Sequence, residues 1–296
     1  MNQKQFEVLV ACKLLENNKI SQRKIAQHCA ISLGSTNKLL TDLLDLGMIL
    51  EDYALTNQGQ EFLNANKVKR AIILAAGFGE RLMPLTLNTA KPLLRIHNIR
   101  IIDTILEAIT NAGIEEIIIV RGHLKDQFDD LKHTYPNLKF IDNDLYNESK
   151  NIRSIYLAKE YLERAYVFES DLLVQNKAII TPYQLNTTYY GKKTDLSNDW
   201  CFKVKSGIIT DIGIGGENVY EMAGISYWTA DDAVQLSKDL EEAIHLPGGL
   251  EKFWDDIPLK DYKNNYKIYI TECKDEDIIE INTFSQIQQM DPIYLV

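Results

Sequence analysis

Apolar residues along the chain follow two different rhythms. Through residue 66 they recur at helical spacing: Phe6, Val8, Leu9, Ala11, Leu14 and Leu15 predict a first helix that stops at Asn17-Asn18. Ser21 is placed to cap a short second helix over QRKIAQHC, its hydroxyl accepting from the first free amides. A tight turn in AISLGSTNKL leads into a helix carrying Leu39, Leu40, Leu43, Leu44 and Leu46, with Gly47 as its stop. ILEDYALTNQGQEFL reads as a short β-wing followed by a closing helix. After Lys67-Val68-Lys69-Arg70 the rhythm changes. RAIILAA is a short apolar run bounded by glycine, the pattern of a strand buried on both faces. Then come a helix over roughly 100–112, the strand IEEIIIV, a helical stretch at 124–134, the strand LKFIDND, a helix over 151–163, and the strand AYVFESDLLV, which ends in acid. Strands alternating with helices imply a parallel sheet covered on both faces. From about residue 180, WCFKVKSGIITDIGIG and NVYEMAGISYW predict an antiparallel excursion over a ligand site.

A length of 296 residues accommodates two domains, divided here as 1–66 and 67–296. The order helix, helix, turn, helix, wing resembles the winged helix-turn-helix of bacterial regulators, whose L-T-x-x-G wing has its counterpart in Leu55, Thr56 and Gly59. Charge does not favour DNA as its partner. Residues 1–66 hold six Lys and Arg against seven Asp and Glu, and the helix that would enter a groove carries only Lys38, although Arg23 and Lys24 could touch a backbone. A dimerising or regulatory module is the plainer reading, and a homodimer is one expectation. The whole chain carries a net charge of −10 and a pI near 5.1, which gives no support to a nucleic-acid or anionic-membrane partner. Cys12, Cys29, Cys201 and Cys273 are scattered without a CxxC pair, and no apolar run approaches the ~20 residues of a spanning helix. The N-terminus lacks a basic n-region and a cleavage site, so a cytoplasmic protein is expected.

An acidic protein that handles an anion needs local cations. The stretch Leu74-Ala75-Ala76-Gly77-Phe78-Gly79-Glu80-Arg81, continuing to Pro84, Thr86 and Ala90-Lys91-Pro92-Leu93, supplies them. Small residues after a strand let backbone amides approach a triphosphate, and Arg81 and Lys91 add charge. Leu82 occupies the third glycine position of a dinucleotide fingerprint, and no Walker lysine follows. The string resembles the signature of sugar-phosphate and choline-phosphate nucleotidyltransferases. Ala90 departs from it, standing where that family has proline, and this implies a looser loop.

Further stretches narrow the resemblance to bacterial phosphocholine cytidylyltransferases: RGHLKDQF, KNIRSIYLAKEYL, ESDLLV, Asn198-Asp199-Trp200, GGENVYEMAGISYW, PGGLEKFWDDIPL and IIEINTF, together spanning about residues 68–293. The resemblance implies an α/β fold, a Rossmann-like αβα domain with a mixed, mainly parallel sheet. It implies CTP and phosphocholine as substrates and Mg²⁺ on Asp171 and on Asn282 of the Glu280-Ile281-Asn282 motif, where many such enzymes have Asp. It places the nucleobase against Ala76-Gly77 and Gly122, with Asn151 and Ser154 of an N-x-x-S motif near base or ribose. Choline has no hydrogen to donate, so aromatic faces with nearby acid should hold it. Trp200, Tyr227, Trp228 and Trp254 are the candidates, with Glu217 and Glu221 as counter-charges. His97, His123, His133 and His245 receive no role.

The implied reaction is attack of the acceptor phosphate on the α-phosphorus of CTP, with pyrophosphate leaving. Lys91 would steady the developing charge, Asp171 would carry the metal, and Arg81 and the loop amides would hold pyrophosphate. Phosphoethanolamine or 2-aminoethylphosphonate are alternative acceptors, since a primary ammonium prefers carboxylates to a full aromatic cage. A nucleotide-sensing winged-helix regulator is the alternative outside enzymology.

Overall fold

Residues 1–16 and 20–295 are described by a computed structural model in which the chain forms two units, Met1–Lys67 with Tyr183–Leu185, and Val68–Pro182 with Asn186–Val296. The first holds α1 (Gln3–Leu15), α2 (Gln22–His28), α3 (Leu33–Asp45) and α4 (Asn57–Ala65) around Phe6, Leu9, Ile25, Leu40, Leu43 and Leu63. The expected stop at Asn17-Asn18 lies outside the described residues. Ser21 caps α2 as its position predicts, and Gly47 follows α3 with φ +68°. Thr56 caps α4 by accepting from the Gly59 amide at 3.0 Å while donating to Gly47 O at 2.6 Å. A Cβ on Gly59 would stand 2.1 Å from Met48 O, so the Thr-x-x-Gly spacing is a packing requirement.

Two expectations for this unit change. The wing is a single bridge, Ile49 to Leu55, because the chain reverses tightly between Leu50 and Ala54 with Tyr53 at φ +66°. The boundary also moves. Tyr183–Leu185 belong with the first unit: Tyr183 bridges Lys67, the Gln184 amide donates to Asn66 O at 3.0 Å, and Tyr183 and Leu185 pack on its core.

The second unit runs β1 (Arg70–Ala75), the ribbon β2 (Arg95–Ile96) and β3 (Ile99–Arg100), α5 (Ile101–Asn111), β4 (Glu116–Arg121), β5 (Leu138–Asp142), α6 (Ile152–Leu157), β6 (Ala165–Glu169), β7 (Leu172–Val174), β8 (Thr188–Lys205), β9 (Ile208–Trp228), α7 (Ala230–His245), β10 (Tyr269–Cys273), β11 (Ile278–Glu280) and α8 (Phe284–Met290). Seven strands form the main sheet in the order β10-β8-β9-β6-β1-β4-β5. The run from β6 to β5 is parallel, whereas β9 lies antiparallel between β6 and β8. Ile73 and Ile119 pack with Ile102 and Ile105 of α5 on one face. Ile72 and Ile118 pack with Ile155 of α6 and Leu240 of α7 on the other. This is the mixed, mainly parallel α/β sheet that the resemblance implies. Among the described residues no helix is long and apolar enough to cross a membrane.

Three details differ from the sequence reading. Residues 125–133 form a 3₁₀ helix, and the stretch 151–163 divides into α6 and a 3₁₀ turn at Lys159–Tyr161. AYVFESDLLV is two strands rather than one. The chain turns at Ser170-Asp171, and β7 leaves the sheet to pair antiparallel with β11, Leu172 opposite Glu280. The Ile281 amide donating to Asp171 O at 2.9 Å secures that turn.

Candidate active site

Parallel pairing of β1 with β6 sets Leu74 opposite Glu169, so the loop after β1 and the turn after β6 emerge side by side. Gly79 has φ +75°, and a Cβ there would lie 3.1 Å from Lys91 Cβ. Thr86 donates to Gly79 O at 3.1 Å, and the His123 ring meets Thr86 O at 2.7 Å. The His123 amide donates to Ala76 O, and its ring lies 4.4 Å from that of Phe78. His123, given no role from sequence, thus braces the loop. Gly122 does so by its smallness: a Cβ would stand 2.8 Å from both Ala76 O and Tyr146 Cβ. Ala90 turns out not to loosen the loop, because its amide, which proline would lack, donates to Gln127 Oε1 at 2.9 Å. Gln127 Nε2 in turn donates to Asn88 O at 2.8 Å.

Both expected cations are engaged within the protein. Lys91 Nζ lies 2.7 Å from Asp171 Oδ2, with both side chains largely buried. Arg81 Nη2 donates to Asn282 Oδ1 at 2.7 Å. The β7–β11 ribbon therefore brings Asp171 together with Glu280 and Asn282, more than a hundred residues further along the chain. Their oxygens suit a hard divalent cation, and Asp171 Oδ1 is buried without a hydrogen-bond partner. No cluster of three His, Cys, Asp or Glu ligands occurs among the described residues. Mg²⁺ characteristically takes one or two carboxylates and completes its shell with water and substrate phosphates, so this donor set fits it.

Three adjoining hollows form one cleft. The first, about 530 Å³, is acidic: Glu169, Asp171, Asp199, Asp255, Asp256 and Glu280 line it together with Trp200, Phe253 and Met222. The second, about 250 Å³, is walled by Leu74, Ala76, Gly77, Gly79, Asn143, Asn151, Ser154 and Lys91. The third, about 850 Å³, lies along Phe78 to Leu82 and also includes Asn282. Of the residues expected at the nucleotide, Ala75 and Gly122 are not on these walls.

Burial and mutual repulsion distort the acids. Burial, with Asp171 nearby, pushes Glu280 up to about 7, against a hydrogen bond from Asn282. Burial raises Asp255 to about 7 as well, although the Tyr189 hydroxyl donates to its Oδ1 at 2.8 Å and opposes the rise. Glu169 is held well above the usual carboxylate range by burial and by the charges of Asp255 and Asp171. Its Oε1 accepts from Asn151 Nδ2 at 3.1 Å and from Trp254 Nε1 at 3.2 Å. Asn151 Oδ1 accepts the Trp254 amide at 3.0 Å, closing a triangle between the first two hollows.

The expected aromatic cage is not assembled. Trp228 is fully buried among Tyr189, Trp254 and Tyr266, its Nε1 donating to Ser226. Tyr227 packs on Tyr166 across the opposite face. Both lie on β9, an interior strand covered on both sides, so neither side chain has a route to the cleft. Glu217 is exposed on the hairpin and Glu221 accepts from Ser197, and neither lines the hollows. Trp254 is buried and reaches Glu169 with its ring nitrogen. Trp200 does line the acidic hollow, with Lys260 Nζ 4.2 Å from its ring centroid. Sequence reasoning passed over Glu169, Glu280 and Asn143 as site residues, while Asp255 and Asp199 were noted only as acids flanking the tryptophans. Glu169 and Glu280 each stand two places from an expected metal ligand, which was the available signal.

A sequence model described as "Nucleotidyl transferase" matches residues 70–189. The 2-aminoethylphosphonate cytidylyltransferase of Lancefieldella rimae is 36% identical over 236 residues, covering 78% of this chain and 95% of that protein. A choline-phosphate cytidylyltransferase of Streptococcus pneumoniae is 30% identical over 76% of this chain and 97% of its own length. A solved structure of CTP:phosphocholine cytidylyltransferase from Streptococcus pneumoniae superposes with a TM-score of 0.71 at 31% identity, covering 77% of this chain and 99% of that one.

Proposed function

Because the chain belongs to the nucleotidyl transferase family, and within it to the cytidylyltransferases, we propose that it moves CMP from CTP onto a small acceptor bearing a phosphonate or phosphate at one end and a primary ammonium at the other. A 2-aminoethylphosphonate or phosphoethanolamine is such an acceptor. The observation that carries this reading is the composition of the acidic hollow: six carboxyl groups surround it, but Trp200 and Phe253 are the aromatic residues on its wall. The Trp200 ring already holds a lysine ammonium, that of Lys260. A primary ammonium gains charge-assisted hydrogen bonds from carboxylates, while a trimethylammonium group gains chiefly from ring faces.

In the proposed reaction, an anionic oxygen of the acceptor attacks the α-phosphorus in line. A new P–O bond forms, the bond to the bridging oxygen breaks, and the electron pair leaves with pyrophosphate. The nucleophile is already ionised, so positioning and charge neutralisation suffice without a general base. The glycine loop offers amides to the triphosphate, and Lys91 lies beside Asp171 where charge develops. Asp171, Asn282 and Glu280 would hold a divalent cation such as Mg²⁺, which would supply further positive charge there. Asn151 and Glu169 keep the two substrates' hollows in register through Trp254.

The test is a pyrophosphate-release panel of CTP, UTP, ATP and GTP against 2-aminoethylphosphonate, phosphoethanolamine, phosphocholine and glucose 1-phosphate. CTP with a primary-ammonium acceptor should give the highest kcat/KM. Preference for phosphocholine would overturn the choice of acceptor, and preference for another nucleotide would overturn the choice of donor. For the N-terminal unit we propose the winged helix-turn-helix class, on its helix order and Leu55-Thr56-x-x-Gly59, with an assembly or regulatory role. Lys38 is the single cation on α3, and a salt-dependent DNA shift by the intact chain would overturn that role.

A further inference from the structure

The cleft contains a third cation that the proposed chemistry leaves unused. Arg81 is bound to Asn282 and Lys91 to Asp171, so each already meets an oxygen of the protein. Lys150 does not. Among the described residues no carboxylate lies within ion-pair distance of it, and its ammonium rests 4.3 Å from the centroid of the Phe253 ring. The backbone beneath it is fixed, the Lys150 amide donating to Leu250 O at 2.9 Å.

Its location narrows what it can meet. Lys150 lines both hollows that contain Gly79 and Lys91, and it is not among the residues of the acidic hollow. Burial holds Glu169 toward its neutral form, so the ions on the 250 Å³ hollow are Lys91, Lys150 and Asp171, and without Lys150 no net positive charge would remain there. A triphosphate arriving at that wall needs positive charge. A ring face holds an exposed ammonium only weakly, and phosphate oxygens compete effectively for it.

We propose that Lys150 is a ligand of the nucleotide's phosphates, swinging from the Phe253 ring to supply the charge that Arg81 and Lys91 spend partly on the protein. This assignment rests on the reading of the glycine-lined hollows as the nucleotide site. It places a phosphate contact in the loop after β5, outside the glycine signature. The side chain is exposed, so its replacement leaves the core untouched.

The experiment compares wild type, Lys150→Met and Lys150→Arg by steady-state pyrophosphate release and by calorimetric titration of CTP. Lys150→Met should raise KM and Kd for CTP about tenfold, the scale of one charge-assisted contact, and leave the acceptor KM within about twofold. Lys150→Arg should recover most of the affinity, and the salt dependence of CTP binding should be shallower in Lys150→Met. Unchanged CTP binding in Lys150→Met, or a rise confined to the acceptor KM, overturns the assignment. If wild type itself binds no CTP, the nucleotide-site reading fails first, and the two failures are told apart.

Discussion

The two ends of the cleft are built in opposite ways. At the end with the glycine loop, one continuous stretch, residues 76–93, contributes Ala76, Gly77, Gly79 and Lys91 to the wall. At the acidic end, four separated segments converge: Glu169 to Asp171, Asp199-Trp200, Phe253 to Asp256, and Glu280 to Asn282. The first is held by short contacts such as Thr86 on Gly79, and the second by pairing of distant strands. A continuous element can be recognised as a string. A convergent one exists only after the chain has folded.

That contrast is most severely tested where the ends meet. Lys91→Ala or Asp171→Ala should each lose at least about a hundredfold in kcat, the scale of one electrostatic contact at the reacting centre. Pyrophosphate release measures it, and near-normal turnover in either variant would dissolve the supposed junction.

The next largest effect lies at the acidic end alone. Asp255 is raised to about 7 in the free protein, so it is mostly protonated at pH 6 and mostly ionised at pH 8. Only the ionised form attracts an ammonium, so kcat/KM for the acceptor should climb through neutrality and acceptor binding should release a proton. Asp255→Asn should flatten this rise and lower kcat/KM about tenfold at pH 8, with the CTP KM unchanged. Stability runs the other way. A carboxyl raised by folding contributes stability that is complete below its unfolded value, near 4, and lost as pH rises through about 7. Thermal denaturation at pH 8 should therefore find Asp255→Asn at least as stable as wild type, the signature of a group kept for function.

The smallest effect tests the phosphate end. Gln127→Leu removes the brace on Ala90 and Asn88, and should raise the CTP KM a few-fold, with the acceptor KM and its pH profile intact. An equal change in both substrates' KM would show that the two ends are not separable.

The same contrast explains what could be read in advance. The glycine loop, the lysine beyond it and the alternation of strands with helices are local patterns, and they gave the α/β sheet and the position of Lys91. Asp171 was legible as an acid near the end of a strand, but its turn was hidden, because the break in AYVFESDLLV depends on a strand more than a hundred residues away. The aromatic residues misled for a physical reason. Alternation along β9 sends Tyr227 and Trp228 to opposite faces, and the sheet order then determines that both faces are covered. Nothing within GGENVYEMAGISYW indicates that β6 and β8 flank it. Trp254 could be read as apolar, but not as a donor whose ring N–H is committed to Glu169.

The pairing of β11 with β7 also has a consequence for biosynthesis. Asp171 leaves the ribosome more than a hundred residues before Ile278–Glu280, yet the strand that fixes its turn and the residues completing its oxygen cluster lie in that later segment. A nascent chain halted ahead of Ile278 would display the glycine loop and still lack the strand that holds the Asp171 turn.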